Sequence, residues 1–166
     1  MKHAPLTHLD EKGEARMVDV GEKVASKRMA IAVCEVWMKT ETLQLLESGS
    51  VKKGDAFTIA KLAGIQAAKK TSELIPLCHP LALEHIEIRF HLLPIHSYVE
   101  VWSEVKTTAK TGVEMEALTG AMGAALALYD MVKSTDPGIL ITNLRLIRKT
   151  GGKSDYSNES RNSNSK

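Results

Sequence analysis

The residues of this chain best suited to chemistry fall into three groups. The first is Asp130 with Lys133, in Leu128-Tyr-Asp-Met-Val-Lys133. A carboxylate and an ammonium at i and i+3 share a helix face, where they can pass a proton or hold an anion between them. The second is Cys78-His79 within Ile75-Pro-Leu-Cys-His-Pro-Leu81. Each proline fixes its own φ and holds its predecessor extended, so this loop is stiff and can present an imidazole at a set position. The third is basic: Lys52 and Lys53 beside Gly54, together with Arg28, Lys149 and Lys153, all able to meet phosphate oxygens. Neither Gly-x-x-x-x-Gly-Lys-Ser/Thr nor Gly-x-Gly-x-x-Gly occurs, so the two common phosphate cradles are excluded. No metal and no cofactor is expected: Cys78, His79, Glu84 and His85 lack a ligand spacing, and Cys34 and Cys78 make no Cys-x-x-Cys.

A long helix must position the acidic groups. Gly112 to Lys133 is rich in Ala, Leu and Met and free of proline. At 3.6 residues per turn, Leu118, Ala121, Ala125, Leu128 and Val132 form a core stripe. The other side carries Glu116, Gly120, Gly123, Ala127 and Asp130, small in the middle and acidic at both ends. Each glycine costs a helix about 1 kcal/mol relative to alanine, so a closely packed partner is expected on that side. Glu116 and Asp130 stand fourteen residues apart, about 21 Å along the axis, too far to share one small molecule within a chain. Two copies crossing antiparallel at Gly123 would bring Glu116 of one toward Asp130 of the other, so the stripe is expected to be a subunit seam.

The remaining elements follow from periodicity. Ser26–Lys39 reads as a largely buried strand. Thr40 is expected to cap a short helix that Gly49 ends, and Asp55 to cap a helix over Ala56–Leu74 with Ile59, Leu62, Ala63 and Ala67 on one side. Leu83–Leu93 and Tyr98–Thr107 alternate cleanly and join through Leu93-Pro-Ile-His-Ser97 as a hairpin; Ile139–Lys149 is a last strand. Strand, helices, strand, strand, helix, strand predicts an α+β fold: a ferredoxin-like antiparallel sheet with helices packed on one face. Such a helix buries one face on the sheet and turns the other outward. One domain over residues 17–150 is expected, with a flexible arm at 1–16 and a flexible Gly/Ser/Asn/Lys tail at 151–166. A net charge of +2 gives no general drive toward nucleic acid, and 4% aromatics argue against base-stacking platforms. No run approaches a membrane span and no leader is visible, so a reduced, cytoplasmic protein with no nucleic-acid or membrane partner is expected.

Met17-Val-Asp-Val, Lys27-Arg28, Lys52-Lys-Gly-Asp55, Leu74-Ile-Pro-Leu-Cys-His-Pro-Leu81, Gly112-Val-Glu-Met-Glu-Ala-Leu-Thr119, Leu128-Tyr-Asp-Met-Val-Lys133 and Gly151-Gly-Lys-Ser154 occur in this order. Together they resemble the cyclic pyranopterin monophosphate synthases, the molybdenum cofactor biosynthesis protein C family. The resemblance covers about residues 17 to 156. It implies a lyase that turns 3′,8-cyclo-7,8-dihydro-GTP into cyclic pyranopterin monophosphate and releases diphosphate. It also implies a hexamer, a trimer of dimers, with active sites at subunit boundaries. On this resemblance the catalytic aspartate falls on Asp130, and active-site lysines on Lys53 and Lys133. His79 is expected to share proton transfers, and Leu77, Cys78, His79, Met115 and Glu116 to contact substrate, with Glu114 a further carboxylate. Departures at Gly21, Glu22, Val132 and Arg148 touch none of these positions. The alternative is a non-catalytic ferredoxin-like nucleotide-binding module, since fold alone does not determine function.

Overall fold

The computed structural model describes residues 12–158. In chain order the elements are β1 (Ser26–Trp37), α1 (Thr40–Glu47), α2 (Ala56–Lys69), α3 (Thr71–Leu74), β2 (His85–Leu93), β3 (Tyr98–Ala109), α4 (Glu114–Val132), β4 (Leu140–Thr150) and β5 (Tyr156–Ser157). The sheet runs β2-β3-β1-β4-β5, and every neighbouring pair is antiparallel. Each helical crossing skips one strand, which gives the ferredoxin-like α+β arrangement expected from the sequence. No helix among the described residues is long and apolar enough to cross a membrane.

The alternating strands place their faces as the pattern predicts. Ala30, Ala32, Cys34 and Val36 of the central strand β1 are fully buried under the helices, as are Val99, Val101 and Val105 of β3. The β2–β3 hairpin turns through a 3₁₀ turn at Pro94–His96, with Ser97 in the left-handed region at φ 57°. Gly49 (φ 66°) ends α1, and the Asp55 carboxylate accepts from Thr58 N at 3.0 Å to start α2.

Two local boundaries differ from expectation. Thr40 does not cap α1; it is the first helical residue, and Lys39 holds the cap position. The buried Asp136 carboxylate, from far along the chain, accepts the Lys39 N–H at 2.7 Å and so ties the helix start in place. The helix expected over 56–74 is broken at Lys70 into α2 and α3. There the buried Thr71 hydroxyl donates to the Ala68 carbonyl at 2.9 Å, an alternative to the helical ladder. After Thr150, in the stretch expected to be a flexible tail, Tyr156–Ser157 add an edge strand on β4. Residues 1–11 of the expected arm and 159–166 of the tail lie outside the described residues.

The larger correction concerns α4. Its small stripe is not a subunit seam; the chain's own α2 covers it. A Cβ on Gly64 of α2 would stand 2.8 Å from the Gly120 carbonyl oxygen and 2.9 Å from the Ala124 Cβ, and one on Gly123 would collide with Ala67. Gly64 and Gly120 thus let the two helix backbones approach to near contact. In a two-helix layer each helix has three faces, against the sheet, against its neighbour and toward water, and a helical wheel does not say which neighbour covers a small stripe. The same geometry splits the expected side of α2, with Ala63 and Ala67 turned to α4 and Ile59 and Leu62 outward. Ala56, Ala60, Gly64 and Ala68 are buried, while Ile59 and Leu62 are 47% and 59% exposed. The solvent flank of α4 carries Met115, half-buried Met122 and exposed Leu126.

Candidate active site

At the N-terminal end of α4 the proline-bracketed loop crosses the first helical turn. Cys78 N donates to Ile75 O at 3.0 Å, closing a turn. Thr107 Oγ1 donates to Ala82 O at 2.6 Å, tying the end of the loop to β3. Between loop and helix lies a cleft of about 390 Å³, lined by Leu77, Cys78, His79 and Leu81 and by Thr111, Gly112, Glu114, Met115 and Glu116, with Val18, Lys23 and Lys153 at its side. A second cleft of about 230 Å³ shares the wall formed by Lys23, Thr111, Gly112, Glu114 and Lys153. Onto it converge Lys23, Arg28, Lys110, Lys149 and Lys153. Glu114 folds back over Gly112, where a side chain would collide with its carboxylate, and accepts from Lys149 Nζ at 3.1 Å.

Burial sets the electrostatics here. Glu116 is only 4% exposed; desolvation, and then the neighbouring Glu114 charge, push its carboxyl above the usual range. Burial, with the Glu116 charge second, likewise raises the Cys78 thiol. Cys34 is a different case. It donates to the Ala121 carbonyl at 3.5 Å inside the core, and burial pushes it up to about 12, so it has no role as a nucleophile.

The C-terminal end of α4 is open and ionic. Lys53 Nζ donates to the Asp130 carbonyl at 2.7 Å and to its carboxylate at 3.2 Å. Lys133 Nζ meets the other carboxylate oxygen at 2.7 Å. The turn that presents Lys53 is closed by Gly54 N donating to Val51 O at 3.0 Å, with Gly54 at φ 102°. The hydrogen bonds from Lys133 and then Lys53 hold the Asp130 carboxyl below the usual range, and Asp130 raises the Lys133 ammonium in turn. A pocket of about 230 Å³ beside this triad is lined by Lys52, Lys53, Ser134 and Thr135 among others.

The candidate residues therefore form two groups. Asp130, Lys133 and Lys53 meet at one end of α4; Leu77, Cys78, His79, Glu114, Met115 and Glu116 meet at the other. The expected phosphate-binding residues are divided too, with Lys52 and Lys53 at the C-terminal end and Arg28, Lys149 and Lys153 at the N-terminal end. Lys23 and Lys110 escaped the sequence reading. Lys110, two residues ahead of Gly112, stood beside the helix start and could have been found; Lys23 has no local signal. Among the described residues His85, Glu87 and Glu104 are spaced to hold a metal ion, but cations already meet Glu104, Lys106 at 2.5 Å and Arg89 at 3.5 Å.

Comparison with known proteins agrees over nearly the whole described chain. The MoaC family matches residues 17–152. The cyclic pyranopterin monophosphate synthase of Heliobacterium modesticaldum is 53% identical over 152 residues, 92% of this chain and 96% of that protein. That of Pelotomaculum thermopropionicum is 56% identical over 149 residues, 90% of this chain and 88% of that one. That of Thermomicrobium roseum is 50% identical over 151 residues, 91% of each.

Proposed function

The chain belongs to the MoaC family, and from that premise we propose that it catalyses the formation of cyclic pyranopterin monophosphate, with the two ends of α4 supplying the chemistry. It is a lyase of molybdenum cofactor biosynthesis. The substrate is the small molecule (8S)-3′,8-cyclo-7,8-dihydroguanosine 5′-triphosphate, and the second product is diphosphate. The observation that carries the site assignment is the convergence of Lys23, Arg28, Lys110, Lys149 and Lys153 on a cleft that shares a wall, Glu114 included, with the cleft holding Cys78, His79 and Glu116.

The five cations take the triphosphate, where ammonium and guanidinium groups neutralise charge that develops as diphosphate leaves the α-phosphorus. Glu114 and Glu116 accept hydrogen bonds from the N–H groups of the guanine edge, and Leu77, Cys78 and Met115 wall the base. Opening the five-membered ring and closing the pyran require several proton transfers, which His79, Asp130 and Lys133 share, with Lys53 positioned on Asp130. These roles belong to a single catalytic domain over residues 17–150, with Lys153 added from the turn that follows it, working in the cytoplasm with both cysteines reduced.

Within one chain the two groups stand about 21 Å apart, from the helix rise over fourteen residues. The complete site is therefore shared between copies of this chain. A two-fold contact across the solvent flank of α4, along Met115, Met122 and Leu126, brings the N-terminal end of one helix to the C-terminal end of the other. The assembly is a hexamer, a trimer of such dimers.

The test is to incubate the pure protein with the cyclised dihydro-GTP and measure diphosphate. Stoichiometric release supports the lyase; a folded protein that binds the nucleotide without releasing diphosphate would be a binding module only.

A further inference from the structure

Beyond the basic cleft itself, the turn that follows β4 shows how one of its cations is held. Gly151 lies at φ 84°, and a side chain there would collide with the Lys27 carbonyl, so the backbone passes against β1 where only glycine fits. Two hydrogen bonds clamp that residue. Ser26 Oγ donates to Gly151 O at 2.9 Å, and Gly151 N donates to the Asp155 carboxylate at 3.0 Å. Beyond Asp155 the chain pairs with β4 again, Lys149 opposite Tyr156, and Asn158 N donates to Ile147 O at 2.8 Å. The turn is thus tied at both ends, and its middle residue, Lys153, lines both clefts at the N-terminal end of α4.

We propose that Asp155 is a positioning residue for the triphosphate: its carboxylate latches the Gly151–Asp155 turn shut and so keeps Lys153 over the basic cleft. The latch has an electrostatic side as well. Engaged with Gly151 N–H, the carboxylate is committed to a backbone donor next to a site built for anions. Without a partner it would be a mobile negative charge on the same turn as Lys153. This role rests on the reading of the cleft as the triphosphate site.

The full chain carrying Asp155→Ala is the test, with thermal unfolding to show an intact fold. KM for the cyclised dihydro-GTP should rise about tenfold, as for the loss of one well-placed charge-assisted contact, while kcat stays within about twofold. Asp155→Asn keeps an oxygen that accepts the same N–H and should restore KM to near the wild-type value. In a Lys153→Ala background, Asp155→Ala should add little, because the cation it positions is gone. An unchanged KM in Asp155→Ala, or an equal rise with and without Lys153, would overturn the latch. Binding of inorganic tripolyphosphate, compared at fixed ionic strength for wild type and Asp155→Ala, separates this from failure of the enzymatic reading. A wild-type chain without turnover removes the activity, yet weaker tripolyphosphate binding by the variant still supports the latch, and equal binding sinks it.

Discussion

At the first turn of α4, Glu116 is almost wholly buried and desolvation pushes its carboxyl up. Fourteen residues later on the same helix, Asp130 lies in the open, and Lys133 with Lys53 pulls its carboxyl down. Two side chains of similar intrinsic acidity are thereby shifted in opposite directions, one by burial and one by paired cations. The difference comes from what each helix end packs against. The N-terminal end faces a cleft walled by the proline-bracketed loop and by Lys23 and Lys153, and Glu114 there accepts from Lys149. At the C-terminal end Asp130 is exposed, and Lys53 and Lys133 pair with it. One end is a walled cleft with a buried carboxyl, the other an open ionic cluster.

The largest effect expected is at the open end. Asp130→Asn removes the ionisable group while keeping its shape, and should lower diphosphate release by about 10²–10⁴-fold with nucleotide affinity retained. Its thermal unfolding at pH 7 should stay close to wild type, since exposed ion pairs contribute little to stability. Near-normal turnover would remove Asp130 from the chemistry. Whether the two ends belong to one site is read by mixing. Inactive Glu116→Ala and Asp130→Asn chains, dissociated and reassembled one to one, should recover about a quarter of wild-type activity: half of randomly paired dimers are mixed, and each mixed dimer holds one intact site of two. A mixture that stays as inactive as its parents would separate the ends into independent regions.

The span between the ends is held by the α2–α4 contact. Gly64→Ala forces a methyl against the Gly120 carbonyl and the Ala124 Cβ, and should cost about 1–3 kcal/mol, seen as a Tm several degrees lower. An unchanged Tm would mean the contact relaxes freely. The smallest effect belongs to Glu116. A carboxyl raised on folding contributes stability that is present below its unfolded pKa and lost as pH rises through the folded one. Glu116→Gln should therefore be somewhat more stable than wild type at pH 7, with the advantage shrinking as pH falls through the carboxylate range. Asp130 has the opposite sign: its pairing stabilises at neutral pH and is lost as pH falls through its depressed pKa. A gap for Glu116→Gln that widens on acidification would contradict the burial of that carboxyl.

Much of this molecule is written locally. Ile86–Leu92 and Val99–Val105 alternate because a pleated strand shows one face to the core, and the structure places Ile88, Val99, Val101 and Val105 in that core. Asp55 caps α2 because a carboxylate three residues ahead of an N–H can reach it. Lys133 meets Asp130 because one helical turn separates them. Such relations depend on backbone spacing alone, so the sequence by itself determined strands β1 to β4, the main helices and the pairing of neighbours along α4, but not the break at Lys70 or the edge strand β5. It did not determine which surface lies against which. Lys53 reaches Asp130 across 77 residues of chain, Lys23 and Lys110 join Arg28 and Lys149 from separate elements, and α2 rather than a second subunit fills the glycine stripe of α4. Those outcomes depend on how a two-helix layer settles on a twisted sheet, a balance of many weak contacts between residues far apart in the chain, and only the tertiary structure decided them.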